Sequence, residues 1–410
     1  MKICHIITRM ILGGAMENTL LTCEGLHARG HEVTLITGPA RGSEGELMTR
    51  ALAGGYRVIV IDDLRRAIHP VYDWRAYRLI LAALRDLRPQ VVHTHASKAG
   101  ILARRAAGRL REASAKTTRR DAASTGAAGT RRDAASTELA GMKIVHTIHG
   151  LAFHPYQAWW KNRLYVCLER GAARWTDAFI SVADAMTRQA LAAGIGRAEQ
   201  HTTIYSGMEV ERYLHRPAEA DAFRASLNLP ADAVLVTQVS RLAPLKGHDL
   251  LLEAASRIED ERIHFCLVGD GELRLEIEAE IARRGLGGRF HLTGLLPVEQ
   301  VPAALHASDV LVHCSLREGL PRTLPQALLA GKPVVAFDVD GTSEVCTSRT
   351  GMLLQPRDVG GLKIALETLA RSGELRDRLG QAGRELCRTR FDHNVMVERI
   401  EGVYRRVVGS

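Results

Sequence analysis

The sequence predicts an α/β fold built from two doubly wound parallel-sheet domains, and two observations carry that expectation. Short β-branched runs alternate with amphipathic stretches from one end of the chain to the other. Each run is continuously apolar rather than alternating, the pattern of strands buried on both faces of a parallel sheet. In the first half the runs are KICHIIT, HEVTLIT, YRVIVID, QVVHTH, KIVHTIH and AFISV. In the second they are AVLVTQVS, RIHFCLVG, RFHLTG, VLVHCS, PVVAFD and GMLLQ. Stretches such as AMENTLLTCEGLHARG lie between them, so the repeating unit is βαβ. The expected division is residues 1–206 and 207–390, with 391–410 as a helix crossing back to the N-terminal domain. The boundary falls near IYSGMEVERY.

Length and composition agree with two globular domains. The 410 residues carry 46% hydrophobic and 25% charged residues, enough for two cores. No stretch approaches a membrane span, and the N-terminal apolar run is interrupted by Arg9, which favours a buried strand over a signal peptide. The seven cysteines are scattered and form no C-x-x-C, as suits a reducing cytoplasm. Residues 1–206 hold 29 Lys and Arg against 17 Asp and Glu, while the remainder holds 26 against 29. A basic first half fits an anionic partner such as a phospholipid surface or a diphosphate-bearing acceptor, or simply a solvated face. Localisation is therefore expected to be cytoplasmic, with a peripheral seat on the inner face of the plasma membrane compatible with that charge.

One segment interrupts the pattern. TRRDAAST occurs twice, from Thr118 and from Thr130, joined by Gly126, Ala127, Ala128 and Gly129. The stretch has no apolar face, so a flexible surface insertion over about 112–141 is expected.

Doubly wound sheets bind ligands at the carboxyl ends of their strands, so the loops there hold the candidate site. After the first run comes Ile11-Leu12-Gly13-Gly14-Ala15, where glycine lets the backbone approach a ligand and a helix N-terminus faces it. KIVHTIH ends in His149-Gly150, placing an imidazole where a substrate hydroxyl would sit, and His93 and His95 end a neighbouring strand, with Ser97 and Lys98 after them. No cluster of Asp, Glu or His with metal-ligand spacing accompanies them, so no metal is expected. In the second half, Arg241 and Lys246-Gly247 follow the first strand and suit a diphosphate clamp. After VLVHCS comes Arg317-Glu318-Gly319-Leu320-Pro321, running into a helix that ends at Gly331 before Pro333.

REGLPRTLPQALLAGKPVVA closely resembles the signature of family 4 glycosyltransferases, which have the two-domain GT-B fold. Gly13-Gly14-Ala15, His149-Gly150, the IYSGM linker and Arg241 with Lys246-Gly247 resemble further elements of that family, in its order along nearly the whole chain. The resemblance implies two Rossmann-like domains facing a central cleft, the first on the acceptor side and the second on the nucleotide-sugar side. It implies that Arg241 and Lys246 bind the donor diphosphate, and that Glu318 and the Gly319–Leu320 backbone meet the donor sugar and phosphates. By the same resemblance His149 sits beside the sugar at the reacting centre and Gly14 lines the diphosphate or acceptor side. Gln326 stands where the family has a second Glu for the ribose hydroxyls, which implies a weaker grip by ~1 kcal/mol. Ser240 stands where a Gly is common.

The implied activity is transfer of a sugar from a nucleoside-diphosphate-sugar, a UDP-sugar favoured, to a hydroxyl acceptor with retention of configuration. No cofactor is implied, since the nucleotide-sugar is a substrate. Expected partners are that donor, a saccharide or lipid-linked acceptor and an anionic membrane surface, and no nucleic acid. Two other readings stay open: a sugar-nucleotide epimerase of the same fold, and a non-catalytic nucleotide-sugar binding protein.

Overall fold

The structure, a computed structural model, describes residues 1–40, 47–124 and 131–409, with side chains described at all of these except 120–124 and 131–134. The chain forms two compact units, Met1–Met208 with His393–Ser410, and Glu209–Asp392. Each is a parallel sheet with helices on both faces.

In the first unit the strands are β1 (Lys2–Ile7), β2 (Glu32–Thr37), β3 (Arg57–Val60), β4 (Val91–His95), β5 (Lys143–Ile148), β6 (Ala178–Ser181) and β7 (His201–Thr203), in the order β3-β2-β1-β4-β5-β6-β7. The order in which strands are added to the sheet reverses between β1 and β4, so the crevice at their carboxyl ends is the expected ligand position of a doubly wound sheet. β7 is too short and too polar (HTT) to stand out as a run in the sequence. It pairs with β6 at Phe179↔His201 and is one edge of the sheet.

The helix His393–Gly409 packs on the helix Gly14–Ala28. Val397 sits so close to Gly25 that a Cβ there would lie 2.7 Å from the valine Cγ2. Glu401 accepts from Arg29 at 3.1 Å and lies 3.1 Å from His31 Nε2. Gly207 lets the chain pass against His393: a Cβ at 207 would stand 2.6 Å from its Cα. The glycine of the IYSGM stretch therefore has a packing reason.

The second unit contains β8 (Val234–Val239), β9 (Ile263–Val268), β10 (Phe290–Gly294), β11 (Val310–His313), β12 (Val334–Phe337) and β13 (Gly351–Leu354), in the order β10-β9-β8-β11-β12-β13. All pairs are parallel, and the reversal falls between β8 and β11. The core gathers Val236, Phe265, Val312 and Phe337 from four neighbouring strands, all at most 1% exposed. Both sheets realise the α/β class expected from the continuous apolar runs.

Within the segment expected as a flexible insertion, residues 112–124 and 131–140 are helical. One helix runs Ser97–Ser124 and another Arg131–Ala140, while residues 125–130 lie outside the described residues. Ala and Arg are strong intrinsic helix formers, so lack of an apolar stripe does not by itself remove a helix. The first of these helices is anchored before the repeat begins. Gly108 lies under the Trp175 ring, Arg111 pairs with Asp177 at 2.6 Å, and Trp175 Nε1 donates to Glu112 at 2.8 Å. Arg104, wholly buried, pairs with Glu169 at 2.5 Å. Removing one partner of a buried pair strands the other, at a cost of about 3–5 kcal/mol. Arg104→Ala is therefore expected to lower the thermal melting temperature of the first unit by many degrees, measured by differential scanning calorimetry. Substituting the exposed Arg105, its neighbour in sequence, is expected to leave it within error.

Candidate active site

In the second unit, the two loops at the switch point are held together by backbone contact. Gly247 has φ +71°, and a Cβ there would lie 2.0 Å from the Cys314 carbonyl oxygen, so only glycine fits. Leu316 N donates to Leu245 O at 2.8 Å just beyond. That seam brings the exit of β8 against the exit of β11. The Lys246 ammonium then donates to Glu318 Oε1 at 2.6 Å, and His313 Nε2 lies 3.2 Å from the same oxygen. The backbone N–H of Glu318 donates to Asp340 Oδ2 at 2.6 Å, and Gly341 N donates to Gly319 O at 3.1 Å. The glutamate is thus fixed by side chains on one side and the β12 exit on the other.

Electrostatics follow from that enclosure. Burial by itself pushes the Glu318 carboxyl up, but Lys246 and His313 outweigh it and hold the group well below the usual carboxylate range. Glu318 is an anion at neutral pH, and both of these contacts fall on Oε1 rather than Oε2. Lys246 uses one of its three N–H donors on Glu318. Behind it, Gln238 Nε2 donates to Lys246 O at 3.0 Å and lies 3.2 Å from Ser240 Oγ. Ser240 Oγ in turn lies 3.1 Å from His248 Nε2. Burial lowers His248 to about 4, so it stays neutral in this chain of contacts. A hydroxyl where glycine is common in the resembling family thus ties the loop down.

The remaining residues of that half are placed differently. Arg241 is exposed on the loop leaving β8. Leu320 is buried, and the helix after it begins only at Thr323 and spans seven residues, so its dipole is modest. Gln326 is 8% exposed and donates through Nε2 to Tyr213 Oη at 2.9 Å. One of its two amide N–H groups is thus given to the protein, and its amide oxygen is an acceptor. Two residues of the site carry weaker sequence signals. Tyr213 has none beyond its place in the linker, whereas Asp340 stands in Asp338-Val339-Asp340 at the exit of β12. That carboxylate spacing at a strand end is one that metal ions also use, but Asp340 Oδ2 is occupied by the Glu318 amide.

In the first unit, Gly14 is the exposed first residue of a 15-residue helix that follows β1, one of the two strands at the switch point. His149 lies just past β5, half-buried, and lines a small cavity with Ala96, Ser97, His146, Gly150 and Glu169. His95 Nδ1 meets His149 Nε2 at 3.1 Å, and the rings stack at 5.3 Å. Behind them the structure gathers more imidazoles than the strand ends suggest. His5 on β1 joins His93 and His95, one donor nitrogen of each lying within 4.8 Å of the others, a spacing that could hold a metal ion. His5 gives no signal in sequence, because a lone histidine inside KICHIIT reads as strand. Burial lowers His5 to about 3 and holds His93 and His95 well below the ordinary range, so all three are neutral.

Comparison with known proteins places these features. Residues 13–207 match the family model described as Glycosyl transferase 4-like domain, and residues 219–386 match Glycosyl transferases group 1. The chain is 26% identical over 371 residues to the UDP-Gal:alpha-D-GlcNAc-diphosphoundecaprenol alpha-1,3-galactosyltransferase of Escherichia coli, covering 89% of this chain and 87% of that one. It is 32% identical over 198 residues to the 2-deoxystreptamine glucosyltransferase of Streptomyces kanamyceticus, a match spanning 47% of this chain and about half, 51%, of that relative. The fold is similar to that of Anabaena Alr3699/HepE in complex with UDP and glucose, with a TM-score of 0.77 at 21% identity over 98% of each chain. It is also similar to a sucrose-phosphate synthase from Thermosynechococcus elongatus, with a TM-score of 0.78 at 20% identity over 99% of each. With both halves matched in order across nearly its whole length, the chain belongs to the family 4 glycosyltransferases, sugar-transferring enzymes of the GT-B fold.

Proposed function

We propose that the chain transfers a sugar, with retention, from a UDP-sugar to a hydroxyl of a saccharide or lipid-linked acceptor during surface polysaccharide or glycolipid assembly. The observation that carries this reading is the Lys246–Glu318–His313 group at the switch point of the second sheet. The names of two similar proteins, a UDP-galactose-dependent transferase acting on a diphosphoundecaprenol acceptor and a UDP and glucose complex, support UDP and a lipid-linked acceptor.

The chemistry asks little covalent work of the protein. Negative charge grows on the departing diphosphate, and the Arg241 guanidinium with the two further N–H donors of Lys246 stabilises it. Glu318 fixes the ammonium in place and offers Oε2 to a sugar hydroxyl, so its role is positioning as much as binding. Gln326 offers its amide oxygen to the ribose hydroxyls. The Gly14 amide serves an anionic group on the first unit, where His149 is assigned to a sugar hydroxyl. Purified protein given a radiolabelled UDP-sugar and candidate acceptors separates the readings. Labelled acceptor supports transfer, epimerised donor supports an epimerase, and retention of unchanged donor supports a binding protein.

An anionic lipid surface is the proposed second partner, and one helix favours it. On Trp159–Ala173 the side chains of Trp159, Trp160, Leu164 and Leu168 are 71%, 53%, 50% and 41% exposed. Lys161, Arg163 and Arg170 are exposed on the same helix, while its one acid, Glu169, is buried against Arg104. Exposed tryptophans beside unbalanced cations are the composition of an interfacial helix. Among the described residues, no helix is long and apolar enough to cross a membrane.

Three outcomes test these assignments. Lys246→Ala and Arg241→Ala are each expected to lower kcat/KM about a hundredfold in steady-state kinetics, the scale of lost charge stabilisation in a transition state. Calorimetric titration with UDP is expected to show Gln326→Glu binding up to about tenfold tighter, with Tyr213 turning its hydroxyl to the new carboxylate, and less gain for 2′-deoxy-UDP. Trp159→Ser with Trp160→Ser is expected to cut flotation with phosphatidylglycerol vesicles about tenfold while leaving the melting temperature unchanged. Added salt is expected to weaken the remaining binding.

A further inference from the structure

Lys246 reaches Glu318 from a backbone held in an unusual shape, and Gln238 is one of the groups that hold it. Lys246 N donates to Ala243 O at 3.3 Å, closing the turn Ala243-Pro244-Leu245-Lys246. Pro at the second position and φ +66° at the third follow the type II pattern, whose third position favours glycine. Here that position is leucine, and Gly247 after the lysine is left-handed as well, at φ +71°. Lys246 therefore stands between two left-handed residues, one of them strained.

The direction of a side chain follows from the two peptide planes that flank its Cα. At Lys246 both planes are pinned from outside the turn. Leu316 N, beyond β11, donates to Leu245 O at 2.8 Å, and Gln238 Nε2, on β8, donates to Lys246 O at 3.0 Å. A carbonyl only accepts, so the Gln238 atom facing Lys246 O is the amide nitrogen. The same nitrogen lies 3.2 Å from Ser240 Oγ. Strand alternation puts Gln238 on the face of Val234 and Val236, which lie in the core, and it is 2% exposed. Its amide oxygen is buried there with no hydrogen-bond partner. An apolar residue of the same size would strand no oxygen, so the amide detracts from stability at this position. What it adds is the donor to Lys246 O.

We propose that Gln238 is a positioning residue. By holding the Lys246 carbonyl it fixes the Cα–Cβ direction of Lys246, so that the ammonium meets Glu318 and presents its remaining donors to a diphosphate. The diphosphate rests on the sugar-transfer reading above, but the hold on the turn does not.

The test uses the full chain and two probes, UDP and UMP, in calorimetric titration. Only UDP carries the second phosphate, so wild type is expected to bind it more tightly than UMP. Gln238→Leu, of similar volume but without donors, is expected to weaken UDP about tenfold and to move UMP less than about twofold. Its melting temperature is expected not to fall, which a merely structural role would require. In a Lys246→Ala background the same substitution is expected to add no further loss for UDP, because it acts through that side chain. Should Gln238→Leu fail to melt cooperatively, Gln238→Met makes the same test with an unbranched side chain. UDP and UMP weakened together, UDP unchanged, or losses that add in the double variant each overturn the proposal. If wild type binds UDP no more tightly than UMP, the diphosphate reading of Lys246 fails instead. Amide hydrogen exchange without nucleotide then decides the hold on the turn. Exchange at residues 243–247 at least about tenfold faster in Gln238→Leu, with the rest of the second unit unchanged, supports it, and unchanged exchange overturns it.

Discussion

The contact between Gly247 and the Cys314 carbonyl is the constraint on which the second unit's site depends. Parallel pairing of β8 with β11 sets the two strands side by side, but it does not by itself bring their exit loops together. A left-handed glycine with no Cβ allows the backbones to close, and the Leu316–Leu245 bond continues the seam. Lys246 and Glu318, 72 residues apart in sequence, meet as a result. A carboxylate that is only partly exposed would otherwise be drawn toward its neutral form. The ammonium reverses that tendency, so the anion and the cation each make the other tenable there.

The first unit solves a different problem. Four polar rings and a threonine occupy one face of the sheet, where Ile3, Ile7, Val91 and Val145 make an apolar core around them. Burying that many polar groups is costly unless each nitrogen has a partner, and here the imidazoles serve one another. Neutrality enforced by burial is what makes this workable, since a protonated ring in the line would meet like donors. The His149 ring lines a small cavity with His146 and meets His95 behind it.

The basic character of the first half also divides once the structure is in view. Arg104 and Arg111 are structural, neutralised by Glu169 and Asp177. Lys161, Arg163 and Arg170 are surface charges beside exposed tryptophans, and the burial of Glu169 is what leaves that helix face without an acid. A net charge read from sequence cannot separate the two populations, because the separation is made by which acids turn inward.

By itself the sequence determined the class of fold, because strands buried on both faces must be continuously apolar, and twelve such runs are written plainly. It also marked the loops of the site through Gly-Gly, His-Gly, Lys-Gly and REGLP, since each is a local demand of backbone conformation or charge at a strand end. It missed β7, whose three polar residues form a strand only because β6 offers an edge. It gave no helix in the Arg- and Ala-rich stretch on either side of residues 125–130, where the described residues are helical and intrinsic propensity favours a helix without an apolar stripe. It took the folded chain to show that Glu318 is shared by Lys246 and His313, that Gln326 turns to Tyr213, and that His5, His93 and His95 gather behind His149. Each of these joins residues from distant strands or helices, and side-chain pairing at that range is set by sheet register and helix packing, which no local pattern encodes.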